Sequence, residues 1–518
     1  MAGKEVFAAI DVGSYEVGLK IYELSTGKGM RELDHVVHRI DLGSETYATG
    51  HISKAHVREL SRILTEFNDI LKSYGVKNYR AYATSALRET KDSDVVLNLL
   101  ETETGLKINI LSNSEQRFLD YKSVAMHGEK FANIIEKPTV FVDIGGGSLQ
   151  LSVFDKDKLV VTQNLRLGVL RTQQILTKID APPSRYTEII SEMTAVHIAD
   201  FKKMYLEEKN IRNLIIVDDY LSPFLCRNRI GSLENGYASA KDYRAFLGEM
   251  TKRSRPEIAA KLNIPLERIP LVSISAKIID CIARELDADT LWAPGVTLSD
   301  GIAYDYAEQK KYLAVTHDFD RDIVAAAKTM AGRYMGSRKN IDTLVKTSLE
   351  IFDVMKKQHA LGTRERLFLQ IAALLHDCGR FISLENIAES AYHIIRTTEM
   401  IGLSHRERKI VATIVWMTHF REEGQSDADN HRASLSPADR LLVSKLSAIL
   451  RVADSVCRTG REEHKALKIK LKGRELLFMT DPTADYVLEK GVLTERKELF
   501  ESVYGITPVI RAKAERSK

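Results

Sequence analysis

Thr139-Val140-Phe141-Val142-Asp143-Ile144-Gly145-Gly146-Gly147-Ser148 contains, in ten residues, the pattern from which the fold is read. The apolar, β-branched run reads as a buried strand, and it ends in an acid followed by three glycines. Without Cβ atoms the glycines let the backbone approach an oxyanion closely, so several N–H groups can converge on one phosphate. Residues 149–154 then alternate like a strand, Asp155-Lys156-Asp157 turns, and residues 159–162 read as the return strand. This strand–turn–strand context differs from the P-loop and dinucleotide fingerprints, both of which run into a helix. A glycine triplet alone is as readily an ordinary turn.

A second copy sharpens the reading. Val6-Phe7-Ala8-Ala9-Ile10-Asp11-Val12-Gly13-Ser14 is again a strand ending in Asp-x-Gly, with residues 17–22 returning. Two such units, each opening a long segment, predict a duplicated fold with a phosphate between the halves. Here the sequence resembles the actin/hexokinase/sugar-kinase superfamily and, more narrowly, the Ppx/GppA phosphatases, which are exopolyphosphatases and guanosine pentaphosphate phosphohydrolases. The resemblance is carried by Asp11-Val12-Gly13-Ser14, Ala83-Thr84-Ser85-Ala86-Leu87-Arg88, Glu115-Gln116-Arg117, the Asp143–Ser148 loop and Leu298-Ser299-Asp300-Gly301. It implies an α/β fold: a duplicated actin-like (ribonuclease-H-like) two-domain core, an all-α HD-like domain and a small α+β C-terminal domain. The expected divisions are 1–128, 129–307, 308–460 and 461–518.

Composition bounds the alternatives. At 518 residues the chain is long enough for three or four domains of ~150 residues, with an apolar fraction that supports real cores. The balance of 75 Lys+Arg against 71 Asp+Glu leaves +4, which argues against a uniformly basic nucleic-acid surface. The four cysteines (Cys226, Cys281, Cys378, Cys457) are scattered without CxxC or framework spacing, so reduced thiols are expected. The N-terminus runs straight into a strand, and no apolar run reaches membrane-spanning length. A cytoplasmic protein with no nucleic-acid or membrane partner is the expectation.

In chain order, Ser53 is an N-cap candidate, followed by Val57, Leu60, Ile63, Leu64 and Phe67 at helical spacing. A strand at 79–83 leads into Thr84, Ser85 and Arg88, whose hydroxyls and guanidinium suit an oxyanion. The local alternative is a capped helix start with an exposed arginine; the resemblance places an arginine here against the phosphate chain. Ser112-Asn113-Ser114 caps a helix beginning near Glu115, locally an acid favoured by the helix dipole. In the resembled family the glutamate of this element is the proposed general base, a role that fits if a phosphate-bound cation shields its charge. The resemblance further implies Mg2+ or another divalent cation on Asp11 and Asp143. It implies phosphate held by Gly13, Ser14, Thr84, Ser85, Gly145, Gly146, Gly147 and Ser148, and a homodimer.

Several residues depart from the family pattern. Tyr15 stands where Asn is usual, Gly18 replaces a common basic residue, and Gln150 replaces a glutamate that helps hold metal and water. After the strand at 213–217, Asp218-Asp219-Tyr220-Leu221-Ser222-Pro223 replaces a third glycine-rich loop. Two acids without glycine cannot cradle an anion in the same way.

Residues 306–311 mark the exit from the core, and 322–454 read as nearly all helix. His376-Asp377 on an apolar helix resembles the HD-domain phosphohydrolases, with Asp454 as the downstream acid and His419 a further imidazole. Asn340 falls where the upstream histidine is expected, so a structural, metal-free HD-like domain is predicted. Leu467, Ile469 and Leu471 alternate with Lys468, Lys470 and Lys472 and turn at Gly473-Arg474, an amphipathic hairpin. The expected activity is removal of a terminal phosphate from polyphosphate or guanosine pentaphosphate by attack of water. The competing reading is a binding module that senses these ligands without turnover.

Overall fold

The computed structural model describes residues 4–206, 209–227, 235–314, 317–335, 341–419, 431–457, 467–481 and 485–512. Two compact units divide the chain, Met1–Phe319 and Asp320–Lys518.

The first unit carries two sheets of matching topology. β1 (Lys4–Val12), β2 (Glu16–Ser25), β3 (Gly29–Arg39), β4 (Asn78–Ala83) and β5 (Ile108–Ile110) lie in the order β3-β2-β1-β4-β5. The second sheet has β6 (Thr139–Ile144), β7 (Leu149–Phe154), β8 (Leu159–Leu165), β9 (Asn213–Asp218), β10 (Tyr237–Ser239) and β11 (Thr290–Trp292). Its order is β10-β11-β9-β6-β7-β8. Apart from the added edge strand β10, β6 corresponds to β1, β7 to β2, β8 to β3, β9 to β4 and β11 to β5. The pairing directions agree: the hairpins are antiparallel and the crossover strands parallel in both sheets. The predicted duplication is therefore present strand for strand.

Every residue of β6 is buried, as a central strand covered on both faces requires. The helix Lys54–Ser73 begins at Ser53, whose side chain accepts the His56 N–H, and buries Val57, Leu60, Ile63, Leu64, Phe67 and Leu71. Those side chains join Ala8, Ile10 and Val12 of β1 in one core, each contributing about 1.5–3 kcal/mol of burial. The register then fixes both acids: Asp11 pairs with Gly18 and Asp143 with Gln150, each one residue before its strand ends. Both turns close with the same bond, Gly13 N–H to Glu16 O and Gly145 N–H to Ser148 O, each 2.9 Å.

The second unit is mainly helical, with the helices Ile341–Val354, Thr363–Leu375, Ile387–Thr397, His405–His419 and Pro437–Cys457. The hairpin of β12 (Lys468–Lys472) and β13 (Glu475–Thr480) is joined by β14 (Thr507–Ala512), parallel to β13. Ile469, Leu476, Phe478 and Ile510 share one core with the helices. Lys468, Lys470 and Lys472 stay exposed on the edge strand, where lysines discourage further strand pairing. Asn340 lies outside the described residues.

Candidate active site

β1 and β6 deliver Asp11 and Asp143 to one cavity of about 440 Å3 within the first unit. From the first half it also receives Gly13, Ser14, Thr84 and Ser85; from the second, Gly145, Gly146 and Ser148. The two turns meet. A Cβ on Gly146 would stand 3.0 Å from Ser14 Cβ and 2.9 Å from Leu170 Cδ1, and one on Gly147 would stand 2.6 Å from the Tyr47 hydroxyl. None of the three loop glycines has a positive φ, so Gly146 and Gly147 are demanded by close approach and not by handedness. Gly147 lies against Tyr47 and is not among the lining residues.

Beside the turns, three hydroxyls form a closed triangle: Ser14–Tyr47 2.7 Å, Ser14–Ser85 2.8 Å and Tyr47–Ser85 2.7 Å. Each can donate or accept, so this wall can present donors to an anion. Thr84 enters through its N–H bond to Val12 O at 3.1 Å, directly beyond β4.

The floor is acidic. Asp11 Oδ1 is buried without a hydrogen-bond partner among the described residues. Burial pushes this carboxyl up to about 7, with the charge of Glu16 adding to the shift. Arg117, 1 % exposed, reaches in from the helix Asn113–Ala125 and bonds Asp143, while its other nitrogen donates to Ser148 Oγ at 2.9 Å. Burial opposes the Arg117 charge, but Asp143 and Asp120 more than offset it and raise its pKa. Asp120 is itself buried and held well above the usual carboxylate range, first by burial and then by the charge of Asp143. Asp219 opens to the same cavity. Burial, then Asp11, raises its pKa. Asp143, Asp120 and Asp219 thus act on one buried guanidinium, and with Asp11 they make a donor set that fits a hard divalent cation.

Besides Gly147, two expected site residues are not brought into the cavity. Glu115 occupies the N3 position of a capping box, its carboxylate accepting the Ser112 N–H at 2.9 Å. Arg88 donates to Leu111 O at 2.7 Å and is likewise absent from the lining. The neighbours of Glu115, Gln116 and Arg117, do line it. Sequence reading missed Arg117, Asp120 and Asp219 as site residues. The available signal was an Arg–Asp pair at i,i+3 on an otherwise buried helix face, where charges need partners.

The departures now have places. Gln150 turns its amide to Thr162 Oγ1 at 2.8 Å and Ser152 Oγ at 3.2 Å, inside the β7–β8 hairpin. Tyr15 lines the cavity beneath the Arg39 guanidinium, 5.2 Å from its ring centroid. In the Leu298–Gly301 element, Leu298 and Ser299 line the cavity, while Asp300 and Gly301 hold the structure around it. Asp300 takes Lys20 Nζ at 2.9 Å, Tyr22 Oη at 2.8 Å and the Thr297 N–H at 2.7 Å. A Cβ on Gly301 would meet Leu119 O at 2.0 Å.

In the second unit His376, Asp377 and His419 place ligand atoms within 4.8 Å of one another. Asp454 Oδ1 stands 3.8 Å from His376 Nε2. Both acids also face arginines: Arg380 donates to Asp377 at 2.6 Å, and Arg496 bonds Asp454.

A duplicated sheet core whose paired acid–glycine turns share one cavity defines the actin-like two-domain architecture, here with a helical C-terminal region. Comparison with known proteins narrows the class. The Ppx/GppA phosphatase family matches residues 21–306, and its domain III matches residues 324–499. Exopolyphosphatase 1 of Mycobacterium leprae is 26% identical over 294 residues, 54% of this chain and 84% of that protein. The Mycobacterium tuberculosis exopolyphosphatase 1 is 24% identical over 295 residues, 54% of this chain and 82% of that protein. An exopolyphosphatase from Cytophaga hutchinsonii has a similar fold, with a TM-score of 0.50 at 16% identity, covering 61% of this chain and all of that one. An exopolyphosphatase-like protein gives a TM-score of 0.50 at 20% identity, covering 60% of this chain and 99% of that one. The chain belongs to the Ppx/GppA phosphatase family. Phosphatases of this family generally depend on a divalent metal.

Proposed function

We propose that this protein releases terminal phosphate from inorganic polyphosphate, guanosine pentaphosphate or both, by metal-assisted attack of water. The observation that carries this reading is the meeting of the two acid-tipped turns around one cavity, an acidic floor beneath a wall of hydroxyls and amides. The amides of Gly13, Gly145 and Gly146 and the hydroxyls of Ser14, Thr84, Ser85 and Ser148 would hold the transferring phosphoryl group. Asp11 and Asp143 would hold Mg2+, which neutralises phosphate charge when bound; the unpartnered Asp11 oxygen is where such a cation fits. Preorganised donors supply most of the acceleration in reactions of this type. Glu115 is the candidate base. Its helical turn already reaches the cavity through Gln116 and Arg117, and freeing its carboxylate costs about 1 kcal/mol of capping.

A second reading has its own observation. Arg117 occupies Asp143 and Ser148 at once, a cation already in the place of one, which favours a protein that binds polyphosphate or alarmone without turnover. The second unit stands in this proposal as a metal-free, HD-like support, because Asp377 and Asp454 each pair with an arginine. The protein is proposed to act in the cytoplasm as a homodimer.

A phosphate-release panel with Mg2+, across polyphosphate lengths and guanosine nucleotides, separates the readings. Turnover by the intact protein, abolished in Glu115→Gln with binding retained, supports the hydrolase. Tight binding without release supports the sensor.

A further inference from the structure

The equivalence of the two sheets gives Asp218 and Asp219 a meaning that their sequence neighbourhood does not. β9 corresponds to β4, so Asp219 leaves the second sheet at the position where Thr84 leaves the first. The register pairs Asp218 with Ile144. Asp219 therefore emerges beside Gly145, one strand spacing of about 4.8 Å away.

The two acids have separate duties. Asp218 is buried, and its carboxylate accepts the Leu221 N–H at 3.1 Å and Ser275 Oγ at 2.7 Å, shaping the turn. The Asp219 carboxylate makes no hydrogen bond or ion pair among the described residues and opens to the cavity; only its backbone carbonyl is engaged, by Arg268. In the same cavity Asp11 Oδ1 is buried and has no hydrogen-bond partner among the described residues. Gln150, on the same rung as Asp143, is turned into the hairpin and offers no charge.

We propose that Asp219 is the third carboxylate of the divalent-cation site, supplying from the end of β9 the negative charge that Gln150 does not supply from β7. This rests on the metal-assisted reading above. It makes the loss of the third glycine loop and the loss of the β7 acid one compensated change. The cation would be held from three strand ends, β1, β6 and β9, all facing the terminal phosphate.

The test is titration of the full chain with Mn2+ alone, following free Mn2+ by electron paramagnetic resonance. Wild type is expected to bind. Asp219→Asn should weaken binding about 10- to 100-fold, with Asp219→Glu recovering most of it. Thermal unfolding in EDTA should leave Asp219→Asn at least as stable as wild type, since no protein partner is lost. Asp219→Ser repeats the measurement if the asparagine variant misfolds. Wild-type affinity in both Asp219 variants, with affinity lost in Asp143→Asn, overturns this inference and leaves the metal-assisted reading standing. Absence of Mn2+ binding by wild type overturns both.

Discussion

The turns that follow β4 and β9 hold equivalent places in the two sheets and carry opposite chemistry. The first opens with Thr84-Ser85, Ser85 lying in the hydroxyl triangle; the second opens with Asp219, open to the cavity, after Asp218 at the end of β9, whose carboxylate shapes the turn. The backbone frame is common to both, down to the 2.9 Å bond that closes each preceding hairpin. What differs is the sign of the charge the turn can hold. At this one pair of positions a duplicated fold has thus diverged, the turn after β4 offering hydroxyls and the turn after β9 a carboxylate.

Breaking the charge balance of the second half has the largest expected effect. Arg117→Ala removes the only buried guanidinium facing Asp120 and Asp143 among the described lining residues. Stranding these acids should cost about 3–5 kcal/mol in urea unfolding. Added Mg2+ should restore part of that loss, because a cation can take over the acids.

The junctions behind the hairpins come next. Each hairpin leads into a helix, capped by Asp41 in the first half and Gly168 in the second. A Cβ on Gly168 would meet Gly146 O at 2.3 Å and Ser148 N at 2.4 Å, both backbone atoms. Gly168→Ala should therefore destabilise by about 3 kcal/mol, whereas Asp41→Ala, losing a 3.1 Å cap to Ser44, should cost about 1 kcal/mol. Equal losses at the two junctions would contradict the asymmetry.

A smaller effect is read in pH. The folded pKa of Asp11, about 7, lies above its unfolded value, so between roughly pH 4 and 7 the folded state holds a proton that the unfolded state has released. Its contribution to stability is complete below the unfolded pKa and is lost as pH rises through the folded one. In EDTA the wild-type Tm should fall across that window relative to Asp11→Asn, and saturating Mg2+ should narrow the difference.

Much of this was legible in the sequence because strand pattern and turn chemistry are local. The two hairpins, the Ser53 cap and the Ser112 cap, the lysine-edged hairpin and the helical second unit all follow from residues near in sequence. The reasons for individual residues were less so. The glycine triplet reads as an anion cradle, yet Gly146 and Gly147 are small because Ser14, Leu170 and Tyr47, distant in sequence, press against them. Glu115 reads as a base from its motif, while its carboxylate closes its own helix. Arg117 has a local partner in Asp120, but its contact with Asp143, like the meeting of Asp219 with Asp11 in one cavity, exists only in the fold.

Side-by-side phosphate release from tripolyphosphate with Mg2+, by wild type, Asp11→Asn and Asp143→Asn, tests the shared cavity most directly. The account predicts release by wild type and its loss in both variants, each still folded by circular dichroism, since one acid comes from each turn. Full release in either folded variant would mean that one turn takes no part, and the two halves would not share a site.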